Sequence, residues 1–119
     1  MQIKVTGRNI DLTQAIKDYA LSKAQKLEEF YTKIQKVEVV LEARHIDDPE
    51  RTQVAEFRAW LAGKKVVQAI EGGRDIYAAI DLALAEIERQ IKKHKEKHSK
   101  GLRRIASRIK HLFRENLNI

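Results

Sequence analysis

Cysteine is absent from the 119 residues, which excludes disulfides, thiolate metal sites and a cysteine nucleophile. Aromatic residues make up only 6% of the chain, with a single tryptophan, so platforms for stacking nucleic-acid bases are scarce. No stretch approaches the roughly 18 apolar residues of a membrane span. Met1-Gln2-Ile3-Lys4-Val5 carries no apolar signal-peptide core. No HExxH, GxGxxG or GxxxxGK[ST] pattern occurs, and no Ser-His-Asp order or isolated carboxylate pair invites a catalytic reading. These absences point away from an enzyme, a cofactor, a small-molecule substrate and a membrane partner. The expected location is the cytoplasm.

What the chain does have is concentrated positive charge. Residues Ile87 to Ile119 hold eleven Lys and Arg against three acids, a net of +8, which leaves −1 for residues 1–86 and reproduces the overall +7. A near-neutral body with a basic arm suits a polyanionic partner, because each neutralised phosphate releases condensed counterions.

Hydrophobic periodicity divides the chain into elements. Gln2 to Thr6 alternates as a short strand, with Gly7 as its stop. Asp11 or Thr13 is placed to cap a helix from Thr13 to Phe30, in which Ile16, Ala20, Leu27 and Phe30 recur at helical spacing. Lys36 to Arg44 and Thr52 to Ala62 alternate as strands, separated by a turn at His45-Ile46-Asp47-Asp48-Pro49-Glu50-Arg51. Gly63-Lys64 is a tight hairpin turn into a fourth strand, Lys65 to Ile70, which ends at a sharp Gly72-Gly73 turn. Asp75 caps a second helix whose stripe is Tyr77, Ile80, Leu84, Ile87 and Ile91; Tyr77 and Ile80 are expected to anchor it to the sheet. Ser99-Lys100-Gly101 reads as a break. Beyond it Leu102, Ile105, Ile109, Leu112 and Phe113 form the apolar side of a short basic amphipathic segment.

The expected fold is therefore α+β. It is a two-layer β-α-β-β-β-α sandwich, a four-stranded sheet with two helices on one face, plus a basic C-terminal helical tail. Its element order suggests double-stranded-RNA-binding folds. Residues 1–98 form the expected domain and residues 99–119 the tail.

Arg89, Lys93 and Lys97 are four apart and line one face of the second helix, and Lys92, Lys95 and Lys100 widen that face. Lys23 and Lys26 lie on the first helix, where they border the same surface if the two helices run side by side. Cations spaced along a helix suit successive backbone phosphates and carry no base code. Arg103, Arg104 and Arg108 in the tail offer further contacts. His94 and His98 form an i, i+4 pair, but without a third ligand nearby they read as the polar end of the apolar stripe rather than a metal site. His45 and His111 stand alone. The acidic turn at Asp47, Asp48 and Glu50 lacks calcium-loop spacing. Asp81 sits one turn into the second helix, where the helix dipole favours an acid.

Two stretches resemble one family. Gly7-Arg8-Asn9-Ile10, Leu12-Thr13, Ala15-Ile16, Tyr19, Lys23 and Lys26-Leu27-Glu28 are similar to the opening of ribosome hibernation-promoting factors, a family that includes ribosome-associated inhibitor A. Asp75-Ile76-Tyr77-Ala78-Ala79-Ile80-Asp81 and Glu88-Arg89-Gln90-Ile91-Lys92-Lys93-His94-Lys95 are similar to its second signature. The resemblance spans Met1 to about Lys97. It implies the fold above and a partner, the small ribosomal subunit with its rRNA, bound in the channel of tRNA and mRNA. It implies that Lys23, Lys26, Arg89, Lys93 and Lys97 touch rRNA phosphates, with Lys92 and Lys95 as weaker carry-overs. The implied role is to park ribosomes under stress by steric exclusion of tRNA. Long members continue into a second domain that pairs ribosomes; the residues after Lys97 are too few for one. Inhibitor-type members end in an acidic tail, and this tail is basic. Two alternatives stay open: a dimerisation or partner-binding module built on the tail helix, and a generic duplex-RNA binder. The residues do not define an oligomeric state.

Overall fold

The computed structural model describes residues 1–45 and 47–117, with side chains through Lys97 and from Arg104 to Ile109. The side chains of His98, Lys100, Leu102, Arg103, Leu112 and Phe113 lie outside the described set, as does Ile46 of the acidic turn. The elements are β1 (Gln2–Arg8), α1 (Gln14–Phe30), β2 (Ile34–Ala43), a 3-10 turn (Pro49–Arg51), β3 (Gln53–Leu61), β4 (Lys65–Gly73) and α2 (Ile76–Leu117). The four strands form one mixed sheet in the order β1-β2-β3-β4. β1 and β2 are parallel, because α1 carries the chain back between them; β2–β3 and β3–β4 are antiparallel. Both helices cover the same face, α1 over β1 and β2, and α2 over β3 and β4. This is the expected α+β sandwich.

Strand alternation builds the core. Val37, Val39 and Leu41 of β2, Ala55, Phe57, Ala59 and Leu61 of β3, and Val67 and Ala69 of β4 point toward the helices and are buried. Ala20, Ala24 and Leu27 of α1 and Ile80, Ala83, Leu84, Ile87 and Ile91 of α2 meet them. Phe57 is the largest fully buried side chain of the layer.

Local chemistry sets the ends of the elements. Thr13, not Asp11, caps α1: its Oγ1 accepts from the Ile16 amide at 3.3 Å. Asp75 caps α2, its Oδ1 accepting from the Ala78 amide at 2.8 Å. Gly63 and Lys64 both have positive φ, 84° and 63°, in the three-residue loop between the paired residues Leu61 and Lys65.

Four expectations need correction. Gly7 does not stop β1, which runs on to Arg8 with Gly7 opposite Leu41. Gly72 and Gly73 are not a turn: they continue β4, opposite Val54 and Gln53. The need for glycine at Gly73 is close approach, since a Cβ there would lie 3.0 Å from the Ala79 amide nitrogen at the start of α2. Tyr77 does not anchor α2 to the sheet. It is 38% exposed and meets the ring of Tyr19 edge to face, 4.9 Å between centroids. The break at Ser99-Lys100-Gly101 is absent, and α2 runs unbroken for 42 residues, about 63 Å at 1.5 Å per residue. A helix-interior glycine costs only about 1 kcal/mol relative to alanine, and Gly101 is flanked by the good helix formers Lys100, Leu102, Arg103 and Arg104.

The tight seat of Gly73 gives a direct test. Gly73→Ala should destabilise the protein by about 1–3 kcal/mol through overpacking against the first turn of α2, measured by urea unfolding. Wild-type stability in that variant would contradict the close-approach account.

Candidate RNA-binding surface

The packing of α2 fixes the direction of each cation. With Ile80, Ala83, Ile87 and Ile91 turned into the core, the helix presents two flanks, one toward α1 and one toward the β4 edge.

The α1 flank is a seam of mixed charge. The Tyr19 hydroxyl donates to Asp81 Oδ1 at 2.6 Å. Lys23 Nζ lies 3.6 Å from the same oxygen and 5.1 Å from the Tyr19 ring centre. The Tyr19 hydroxyl pKa is raised, chiefly because it donates to the Asp81 carboxylate, with desolvation adding to the shift. Asp81 thus joins the two helices and holds Lys23 toward the seam. Lys95 reaches back over the Phe30 ring, 5.8 Å from its centre. Lys26 and Lys92 are exposed, on α1 and on the outward side of α2.

The β4 flank is different. Arg89, Gln90, Lys93, His94 and Lys97 line an open groove of about 230 Å³, completed by Lys65 and Val67 of β4. Gln90 donates to the Gln68 carbonyl at 2.8 Å, which ties α2 to β4. Glu86 adjoins Arg89 and Gln90 of this groove. It accepts from Arg89 Nε at 3.0 Å and Nη2 at 2.8 Å, and from Gln90 at 3.2 Å. These hydrogen bonds, from Arg89 first, lower the Glu86 pKa from 4.5 to about 2. Among the described residues no carboxylate pairs with Lys65, Lys93 or Lys97.

The structure brings Arg89, Lys93 and Lys97 together as their spacing requires, and sets Lys23 and Lys95 on the other flank. Arg104 and Arg108 are exposed farther along α2, where Ile105 and Ile109 are also open to solvent, 54% and 47% exposed. The sequence reading missed Lys65. Its only local mark was its place after the hairpin turn, and nothing in the primary structure set it opposite Lys93. On the uncovered sheet face, by contrast, two cations are paired with acids: Lys36 with Glu38 at 3.0 Å and Arg58 with Glu56 at 3.1 Å. His94 packs edge to face near Tyr31, 6.2 Å between ring centres. Among the described residues no group of three or more His, Asp or Glu could hold a metal ion, and no helix is long and apolar enough to cross a membrane.

A mixed sheet under two helices, with a cationic flank and, among the described residues, no buried polar side chain, is a two-layer sandwich of the α+β class. The model of the Sigma 54 modulation protein / S30EA ribosomal protein family matches residues 3–99, and the chain belongs to that family. It is 36% identical over 97 residues to a ribosome hibernation promoting factor of Klebsiella oxytoca, covering 82% of this chain and 96% of the relative. It is 34% identical over 108 residues to the factor of the same name from Pseudomonas putida, covering 91% of this chain and all of the relative. The crystal structure of the Thermus thermophilus Protein Y N-terminal domain superimposes with a TM-score of 0.66 at 33% identity, over 79% of this chain and 99% of that one. A ribosomal subunit interface protein from Coxiella burnetii shares the fold with a TM-score of 0.68 at 20% identity, over 81% of this chain and 99% of that one.

The lowered Glu86 pKa carries a sign. The Glu86–Arg89 pair adds stability above the ordinary carboxyl pKa of 4.5, and that contribution is lost as pH falls toward about 2. NMR titration of the Glu86 carboxyl should give an apparent pKa near 2, returning toward 4.5 in Arg89→Ala. An unshifted wild-type titration would remove the pair from the account.

Proposed function

We propose that this protein binds ribosomes and silences them, occupying the channel of tRNA and mRNA on the small subunit. The observation that carries the reading is the cationic flank of α2, Arg89, Lys93 and Lys97, in a chain similar in sequence to relatives named for ribosome hibernation. The action is steric and electrostatic rather than chemical. Lysine and arginine neutralise rRNA phosphates, and the rigid two-layer body excludes tRNA from the space it fills. Lys23 and Lys26 on α1 and Lys92 and Lys95 on α2 extend the contact beyond the flank. Lys100, Arg103, Arg104 and Arg108 carry it along the tail, residues 99–119, beyond the ribosome-binding domain of residues 1–98. Phosphate-dominated binding is sensitive to salt, losing orders of magnitude between low and physiological ionic strength when several contacts are made.

Co-sedimentation with ribosomes at low and moderate salt tests this. Wild type should travel with the small subunit and with intact ribosomes, and Arg89→Glu/Lys93→Glu should remain at the top of the gradient. Equal binding by that double variant would refute the assigned surface, and equal affinity for random duplex RNA would reduce the protein to a generic RNA binder.

The exposure of Ile105 and Ile109, in a part of α2 beyond the residues the family model matches, favours a second reading in which that segment packs on a partner helix or a second copy. Ribosome-free gradients of wild type and Ile105→Gln/Ile109→Gln decide it: a wild-type oligomer lost in the variant supports the reading, and a monomer in both ends it.

A further inference from the structure

We infer that the groove between β4 and α2 is the seat of an RNA backbone segment, and that Lys65 of β4 is a binding residue of the same rank as Arg89, Lys93 and Lys97. The inference rests on the ribosome-binding reading and specifies which flank of α2 the RNA follows.

Four cations from two separate elements converge on this groove. Three come from successive turns of α2, and consecutive members of an i, i+4 series are about 6 Å apart along the axis. That spacing is close to the distance between neighbouring phosphates of an RNA strand. Lys65 comes from the first residue of β4, across the groove. The sheet is therefore part of the binding surface, and its edge sets how deeply the strand lies against the helix.

Two features make this flank better suited to phosphate than the seam between the helices. First, its lysines are uncommitted: no described carboxylate pairs with Lys65, Lys93 or Lys97, whereas Lys23 is held by Asp81. Second, Glu86 accepts from both Arg89 and Gln90 and thereby holds the Arg89 guanidinium in place. The floor is also braced, since Gln90 fastens α2 to the Gln68 carbonyl of β4. Pre-positioned donors lose less side-chain entropy on binding than free ones.

The shape chooses between two sources of phosphate. The groove is open and follows α2 from Arg89 to Lys97, lined on one side by a row of cations, and among the described residues no buried polar side chain closes around a single anion. A continuous backbone fits such a track; a small free polyphosphate would leave most of it unfilled. On the uncovered sheet face Lys36 and Arg58 are paired with Glu38 and Glu56.

The test measures affinity for purified small ribosomal subunits as a function of salt, using wild type, Lys65→Ala, Lys65→Arg and the open-face control Lys36→Ala. Lys65→Ala should bind more weakly, with a plot of log affinity against log salt shallower by about 1. Lys65→Arg should restore the slope, and Lys36→Ala should keep it. An unchanged slope in Lys65→Ala, with Arg89→Glu/Lys93→Glu still defective, would overturn the groove while leaving ribosome binding intact. Absence of wild-type binding would remove the reading beneath it, and the groove assignment with it. Inorganic pyrophosphate is the competing probe. At constant ionic strength it should fail to displace the protein at millimolar concentration, and displacement at micromolar concentration would reassign the groove to a free small anion.

Discussion

The rotation of α2 about its own axis is the constraint on which the rest depends. It is set by packing: Ile80, Ala83, Ile87 and Ile91 are driven out of water onto Phe57, Ala59, Val67 and Ala69 of the sheet. Burial of a large aliphatic side chain is worth about 1.5–3 kcal/mol, far more than an exposed ion pair contributes. Charge therefore does not choose the helix face; the apolar stripe does, and charge occupies what remains. Once Ile87 and Ile91 face inward, Lys93 and Lys97 fall toward β4, with Arg89 on the outer side next to them, and Asp81 and Lys95 fall toward α1. The electrostatic surface is a consequence of core packing.

The two flanks then acquire different characters from very local differences. On the α1 side one carboxylate, Asp81, gathers a tyrosine hydroxyl and a lysine and joins the helices. It is a structural seam that also carries charge. On the β4 side the nearby carboxylate, Glu86, is engaged by residues of its own helix, so the lysines beyond it are left facing solvent. A protein that must be both a stable two-helix sandwich and a polycation separates the two tasks across one helix.

Much of this was legible in the primary structure, for physical reasons. Strand and helix periods differ sharply, and Val37-Val39-Leu41 and Ile80-Leu84-Ile87-Ile91 follow them without interruption. The i, i+4 spacing of Arg89, Lys93 and Lys97 likewise guaranteed a shared face on any helix. What was not legible depended on tertiary proximity or on small energies. Lys65 meets Lys93 only because β4 is an edge strand under α2. Tyr77 looked like a core residue by spacing, yet it lies at the margin of the stripe, where Tyr19 is its neighbour. Gly73 carries the same letter whether it makes a turn or admits a helix end against a strand. Gly101 failed to break α2 because a cost of about 1 kcal/mol is small beside the propensity of the good helix formers around it.

The central claim is that the cationic flank of α2, facing β4, is the surface that meets ribosomal RNA. A cryo-electron-microscopy structure of the protein on the small ribosomal subunit tests it most directly. The expected result is rRNA phosphates against Arg89, Lys93, Lys97 and Lys65, with the body in the tRNA and mRNA channel. A complex in which that flank faces solvent, and the uncovered sheet face or the α1–α2 seam alone touches the ribosome, would contradict it.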